Sequence, residues 1–217
     1  MLNQLFRNVL PPVIYKAGAK IKKSAFAERS DPDRLFDGDD ALFKEIIGQA
    51  RVYAEYGCGA STIWVASHTS ARILSIDSSE VWLDKVRQSC GGRSELGLHY
   101  ADVGTIGDWG RPVSYDRSEN FADYTDWVWR QGVSPDTVLI DGRFRVCCFL
   151  TSLTNADQGA QLVFDDYMDR PHYHFVERFV KPARTCGRQA LFYAPGKDAL
   201  EVAEIEQAIA QFRFVMD

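Results

Sequence analysis

The segment Glu55-Tyr56-Gly57-Cys58-Gly59-Ala60-Ser61 constrains this chain more than any other. It follows an apolar run, Arg51–Tyr56, that reads as a strand, and it leads into a helix beginning near Ser61. In a strand–turn–helix setting, two closely spaced glycines let the backbone turn sharply and approach a ligand. The next apolar run, Arg72–Ile76, is followed by Asp77, where a carboxylate can accept hydrogen bonds from both hydroxyls of a ribose. A dinucleotide loop of the G-x-G-x-x-G type would need Gly or Ala at position 62, and Thr62 stands there. The acid Glu55 ahead of the turn also suits a cationic ligand better than a pyrophosphate. The motif therefore reads as a nucleoside site with an acidic approach.

Around this turn the chain alternates strand and helix, the pattern of a parallel sheet covered on both faces. Strands are expected at Arg51–Tyr56, Arg72–Ile76, Gly97–Ala101, Thr137–Ile140 and Gln161–Phe164, with Ala183–Cys186 and Gln189–Tyr193 as a closing hairpin. Helices are expected at Asp39–Gln49, from about Ser61, at Ser79–Cys90, Arg143–Thr154 and His172–Val180, and after Asp198, where Asp198 and Glu201 resemble a capping box. The fold class is α/β, a Rossmann-like doubly wound sheet of seven strands. Residues 1–38 are expected to form a helical lead-in and residues 39–217 the ligand-binding domain. Val103–Ser134 lacks clear periodicity at its start, and a connection this long inside a domain is usually functional. Within it, Trp109 reads either as part of a lid or as a buried anchor, and Arg111 as a contact for an anionic substrate.

Composition excludes several classes. The chain has 217 residues, 46% of them hydrophobic, enough for a full-sized core. A formal charge of -5 gives no basic excess for nucleic acid, so a small-molecule substrate is expected. No apolar run is long enough to span a bilayer. Five cysteines, with no C-x-x-C pair and no signal peptide ahead of them, point to reduced thiols in a cytoplasmic setting. Arg7, Lys16, Lys20, Lys22, Lys23 and Arg29 make the lead-in locally basic, as an exposed helix packed on the domain or one that meets an anionic surface.

The pattern E-x-G-x-G-x-S followed by a strand-end acid resembles the first two motifs of class I S-adenosylmethionine (SAM)-dependent methyltransferases. The blocks Gly107–Ser114, Asp141–Arg145 and Phe164–Tyr167 are similar to a small group of bacterial methyltransferase-like proteins. The resemblance implies SAM as cofactor and methyl transfer, with an oxygen of a small molecule as the expected acceptor. It also implies that Asp102, after the third strand, meets the adenine amino group. The cofactor-binding set is then Glu55, Tyr56, Gly57, Gly59, Ser61, Asp77, Ser78, Asp102, Val103 and Asp141. A SAM-binding protein without catalysis and an NAD(P)-dependent oxidoreductase are the alternatives; Thr62 and the lack of a Tyr-x-x-x-Lys pair count against the second.

The catalytic set is Asp141, Asp165, Asp166 and His174. The three aspartates resemble the carboxylate cluster that holds a magnesium-like ion in metal-dependent O-methyltransferases. Arg143 and Arg145 stand close by in sequence and offer the other way to balance those charges. A histidine there can take a proton from a substrate hydroxyl; of His172 and His174, the likeness to the bacterial group favours His174.

Overall fold

The computed structural model describes residues 34–217. The expected lead-in helix of residues 1–38 lies, up to residue 33, outside the described residues. Leu35 and Phe36 are already buried in the core, and their N–H groups donate to the Asp40 carboxylate at 2.7 and 3.0 Å. The domain's packing therefore begins ahead of the expected boundary at residue 39.

Seven strands form one sheet in the order β3-β2-β1-β4-β5-β7-β6. They are β1 (Val52–Tyr56), β2 (Arg72–Asp77), β3 (Leu96–Tyr100), β4 (Thr137–Ile140), β5 (Gln161–Phe164), β6 (Arg184–Cys186) and β7 (Gln189–Tyr193). The first five are parallel, and β7 runs antiparallel to both β5 and β6. Alternation along each strand sends residues to two separate cores. Ala54, Tyr56, Leu74, Ile76, Val138 and Ile140 enter one; Tyr53, Ile73, Leu139, Val163 and Leu191 enter the other. That is why β4 reads as a continuous apolar run: it is buried on both faces.

The helices are α1 (Ala41–Ile47), α2 (Ala60–His68), α3 (Glu80–Ser89), α4 (Phe121–Asp126), α5 (Arg145–Asn155) and α6 (Val202–Phe212). No described helix is long and apolar enough to cross a membrane. Two expectations fail locally. Pro171–Arg178 is a 3₁₀ segment in place of an α-helix. Asp198 falls in a separate 3₁₀ turn, Lys197–Ala199, so no capping box starts α6.

The register fixes the functional edge. Tyr56 pairs with Ile76 on one side and Ile140 on the other, and Ile140 pairs with Phe164. The residues that follow, Gly57, Asp77, Asp141 and Asp165, therefore stand in one row along the carboxyl ends of β2, β1, β4 and β5. Neighbours in such a row are about 4.8 Å apart. In an open parallel sheet this edge is where ligands bind.

Candidate functional site

Glu55 shares a face of β1 with Tyr53 and lies opposite Ser75 of β2. Its carboxylate is fully buried and accepts hydrogen bonds from four hydroxyls: Tyr53 and Ser61 on Oε2 at 2.7 and 2.8 Å, Ser75 on Oε1 at 2.8 Å, and Thr62 on Oε1. Burial pushes its carboxyl above the usual range and the four donors oppose that rise. Thr62 also accepts the N–H of Gly59 at 2.9 Å, so one hydroxyl ties the turn to the acid beneath it. The side chains of Glu55 and Ser61, expected at the cofactor, bond each other below the loop and brace it. The side chain of Tyr56, in the same expected set, is buried. Its hydroxyl donates to the Thr125 carbonyl at 2.8 Å and accepts from Trp129 Nε1 at 2.9 Å, inside the core.

The two glycines act differently. Gly57 has φ +90°, and a Cβ there would lie 2.7 Å from Cα of Gly142. Only glycine permits both that conformation and the contact between the β1 and β4 turns. A Cβ on Gly59 would meet nothing within 4 Å, so the backbone there borders open space. Beside it, Asp77 Oδ2 accepts the N–H of Cys58 at 2.8 Å, and Oδ1 accepts that of Ser79 at 2.7 Å. Burial raises the Asp77 carboxyl to about 6, against the pull of those two N–H groups and of Arg143. A strand-end carboxylate next to open glycine backbone is the acceptor that a ribose's two hydroxyls require, so these residues fit a nucleoside. Asp102 is half-buried after β3 and accepts the Gly104 N–H at 3.1 Å, with Val103 buried behind it.

Ser78 donates to the Gly110 carbonyl at 2.6 Å and so fastens Gly107–Ser114 across the end of β2. Trp109 in this segment is 54% exposed with φ +61°, so it is not the buried anchor that was one expectation. Phe144 and Asp166 are the other non-glycine residues with positive φ among the described residues. Each such residue costs about 1–3 kcal/mol, and Phe144 and Asp166 follow strand ends at this edge, where strain of this kind tends to collect.

Asp141, Asp165 and Asp166 do converge, each offering a ligand atom within 4.8 Å of the others. Guanidiniums already answer them. Arg145, 3% exposed, pairs with Asp141 at 3.1 Å and Asp166 at 3.2 Å. It also donates to the carbonyls of Gly142, Asp165 and Asp141 at 2.9, 2.8 and 3.1 Å. Each of its three nitrogens thus has a hydrogen-bond acceptor, and two of them also lie against a carboxylate. Burial would lower this guanidinium, but Asp141 and its neighbours raise it further. Arg188 pairs with Asp165 through two nitrogens and with Asp166 at 3.0 Å; Arg170 reaches Asp166 at 2.7 Å, and Gln189 donates to Asp165 at 3.0 Å. Three carboxylates facing three guanidiniums do not fit a divalent cation. Of the two arrangements open from sequence, the arginine one is present, with Arg145, Arg170 and Arg188 supplying the charge. Arg170 and Arg188 could be found only through the turn after β5 and the β6–β7 hairpin.

His174, expected as the catalytic base, bonds the Tyr167 carbonyl through Nε2 at 3.1 Å and packs its ring on Tyr167. Tyr124 was missed. Its hydroxyl accepts the Arg143 N–H at 3.0 Å and lies where a Gly142 side chain would be. No periodicity marks an isolated tyrosine of this kind.

Comparison with known proteins agrees with the geometry. No protein-family model matches the chain, and no curated protein does. Among solved structures, a methyltransferase-like protein from Silicibacter pomeroyi is 30% identical, with a TM-score of 0.73, over 82% of this chain and 95% of that one. A methyltransferase from Geobacter sulfurreducens shares the fold at 14% identity and a TM-score of 0.50, over 89% and 96% of the two chains. With the seven-stranded order, the glycine turn and the strand-end acids in place, the chain belongs to the class I SAM-dependent methyltransferase superfamily.

Proposed function

We propose that the chain binds SAM at the Gly57–Gly59 turn and transfers its methyl group to an oxygen of a small molecule. The observation that carries this reading is Asp77, a buried carboxylate at the end of β2 held beside the open backbone of Gly59. SAM, when bound, supplies a methyl carbon made electrophilic by its sulfonium. The chain's own part is mainly orientation, which is worth a large share of the barrier in such transfers. Asp77 takes the ribose hydroxyls. Asp102 and Val103 border the base, as the superfamily resemblance implies. Glu55 is enclosed, so Asp141, whose side chain is 28% exposed, is the acid left to meet the cationic end of the cofactor. The Gly107–Ser114 segment screens the site from water. The five free cysteines suit the cytoplasmic setting we infer.

Calorimetric titration with SAM, S-adenosylhomocysteine (SAH) and NADH, followed by transfer from methyl-labelled SAM to hydroxylated acceptors, tests the reading. Binding of SAM and SAH but not NADH is expected. NADH binding without SAM or SAH binding would overturn the reading, and SAM binding without transfer to any hydroxyl would leave a binding protein.

A further inference from the structure

We propose that the methyl acceptor is an anion, a small carboxylic acid or phosphate ester, received by Arg143 in the place that Phe214–Asp217 holds in this structure. The proposal rests on the methyltransferase reading and adds the acceptor class to it.

Arg143 follows Gly142 in the turn between β4 and α5, and Gly142 packs on Gly57 of the glycine turn. This places Arg143 beside the donor site. Its Nη1 donates to the Asp217 carbonyl at 2.8 Å, and its Nε is buried with no partner. No described carboxylate side chain forms an ion pair with it. Arg145, two positions on, differs: each of its three nitrogens has an acceptor and it pairs with two carboxylates. A half-buried guanidinium with a buried, unpartnered Nε carries a desolvation cost that a group of opposite charge would offset.

Residues 214–217 supply an incomplete stand-in. Asp217 Oδ1 accepts the main-chain N–H of Arg145 at 3.1 Å, while Oδ2 is buried without a partner. The chain's own acid thus lies against the Arg143–Arg145 turn, yet Arg143 Nε and Asp217 Oδ2 are both left over. Val215 and Met216 pack half-buried against the core and the Val215 N–H bonds the Phe212 carbonyl at 3.0 Å, while two further bonds lie at the rim. Arg111 Nε donates to the Met216 carbonyl at 2.7 Å, and the Tyr115 hydroxyl to that of Phe214 at 3.1 Å. Both donors are exposed, as is Phe214. A free carboxylate or phosphate would accept two N–H bonds from Arg143, the geometry that guanidinium favours, and would have the Arg145 N–H and the Arg111 cation within the same mouth. Arg111 belongs to the segment that Ser78 fastens beside Asp77, so the anion site and the donor site share one wall.

The test uses the full chain, with and without saturating SAH, and calorimetric titration of three probes: 4-hydroxybenzoate, phenyl phosphate and the neutral 4-hydroxybenzamide. At least one anion is expected to bind about tenfold tighter than the amide, and which one binds separates a carboxylate from a phosphate acceptor. Asp217→Asn should tighten that anion severalfold by weakening its competitor. Arg143→Gln should weaken it about tenfold or more, with Arg143→Lys between the two. Should Arg143→Gln not fold, Arg111→Gln, at the exposed rim, is expected to weaken the anion by a smaller factor and leave the amide unchanged. Equal binding of amide and acid, or binding of neither anion by an Asp217→Asn protein that binds SAH, overturns the proposal. Failure of SAH itself to bind would instead remove the methyltransferase reading, and the titrations without SAH still report on Arg143.

Discussion

Two groups of carboxylates stand on the same edge of one sheet and are balanced in opposite ways. At the β1–β2 end, Glu55 is satisfied by four neutral hydroxyls and Asp77 by two main-chain N–H groups. No ion pair closes on either, although Arg143 lies near enough to favour the ionised Asp77. At the β4–β5 end, Asp141, Asp165 and Asp166 are matched by Arg145, Arg170 and Arg188. Neutral donors leave a carboxylate its charge and, at Asp77, room to accept further bonds. Ion pairs consume that capacity at Asp165 and Asp166 and make them struts between the β5 turn and the β6–β7 hairpin, while Asp141, paired with Arg145 alone, keeps an exposed side. The first end is therefore a receiving site and the second, apart from Asp141, a self-completed scaffold, although the two look equally acidic in sequence.

The comparison breaks most easily at Arg145. Arg145→Met removes the guanidinium that joins Asp141 and Asp166 and leaves buried charge behind. Urea unfolding should show a loss of about 3–5 kcal/mol. A loss below about 1 kcal/mol would mean the cluster is not held in this way. At the other end, Glu55→Gln keeps the size but not the charge that four hydroxyls converge on. About 1.5–3 kcal/mol of stability should go with it, and SAH affinity should fall only as the loop loosens.

Asp77→Asn sharpens the contrast, because its effect should appear in binding rather than folding. SAH affinity is expected to drop by about 1–3 kcal/mol, read by calorimetry, while unfolding changes less. Acidity offers a finer probe of the same group. Its folded value of about 6 lies above the ordinary 3.8, so the unliganded fold keeps a proton that the unfolded chain has released. Its contribution to stability therefore falls as pH rises from about 4 to about 6. Ribose hydroxyls need the ionised form, so SAH affinity should rise over that range and level off near pH 7, being about tenfold weaker at pH 5. Asp77→Asn should abolish this dependence. The smallest effect is the one expected from magnesium: with the arginines in place, a millimolar addition should leave the melting temperature unchanged, whereas a cation bound by the cluster would raise it.

Much of this architecture is legible in sequence because strand burial and turn chemistry are local. Thr137–Ile140 and Gln161–Phe164 match β4 and β5 residue for residue, since buried parallel strands are short apolar runs bounded by polar turns. Gly57, Gly59 and Asp77 could be placed at the sheet's mouth for the same reason. The direction of a side chain was not legible. Glu55 looks like a ligand-facing acid until the β1–β2 register puts Ser75 opposite it and α2 brings Ser61 and Thr62 over it. The partners of Asp165 are similarly distant in sequence, at Arg188 and Gln189. His174 was assigned by likeness, and its bond to Tyr167 depends on a 3₁₀ turn that its spacing does not announce.

A crystal structure of the full chain with SAH tests the distinction most directly. Both ribose hydroxyls should lie within hydrogen-bond distance of Asp77, with Glu55 still closed beneath the turn and Arg145 still joining Asp141 to Asp166. A nucleoside bound elsewhere, or one whose sugar meets the β4–β5 acids after displacing their arginines, would contradict it.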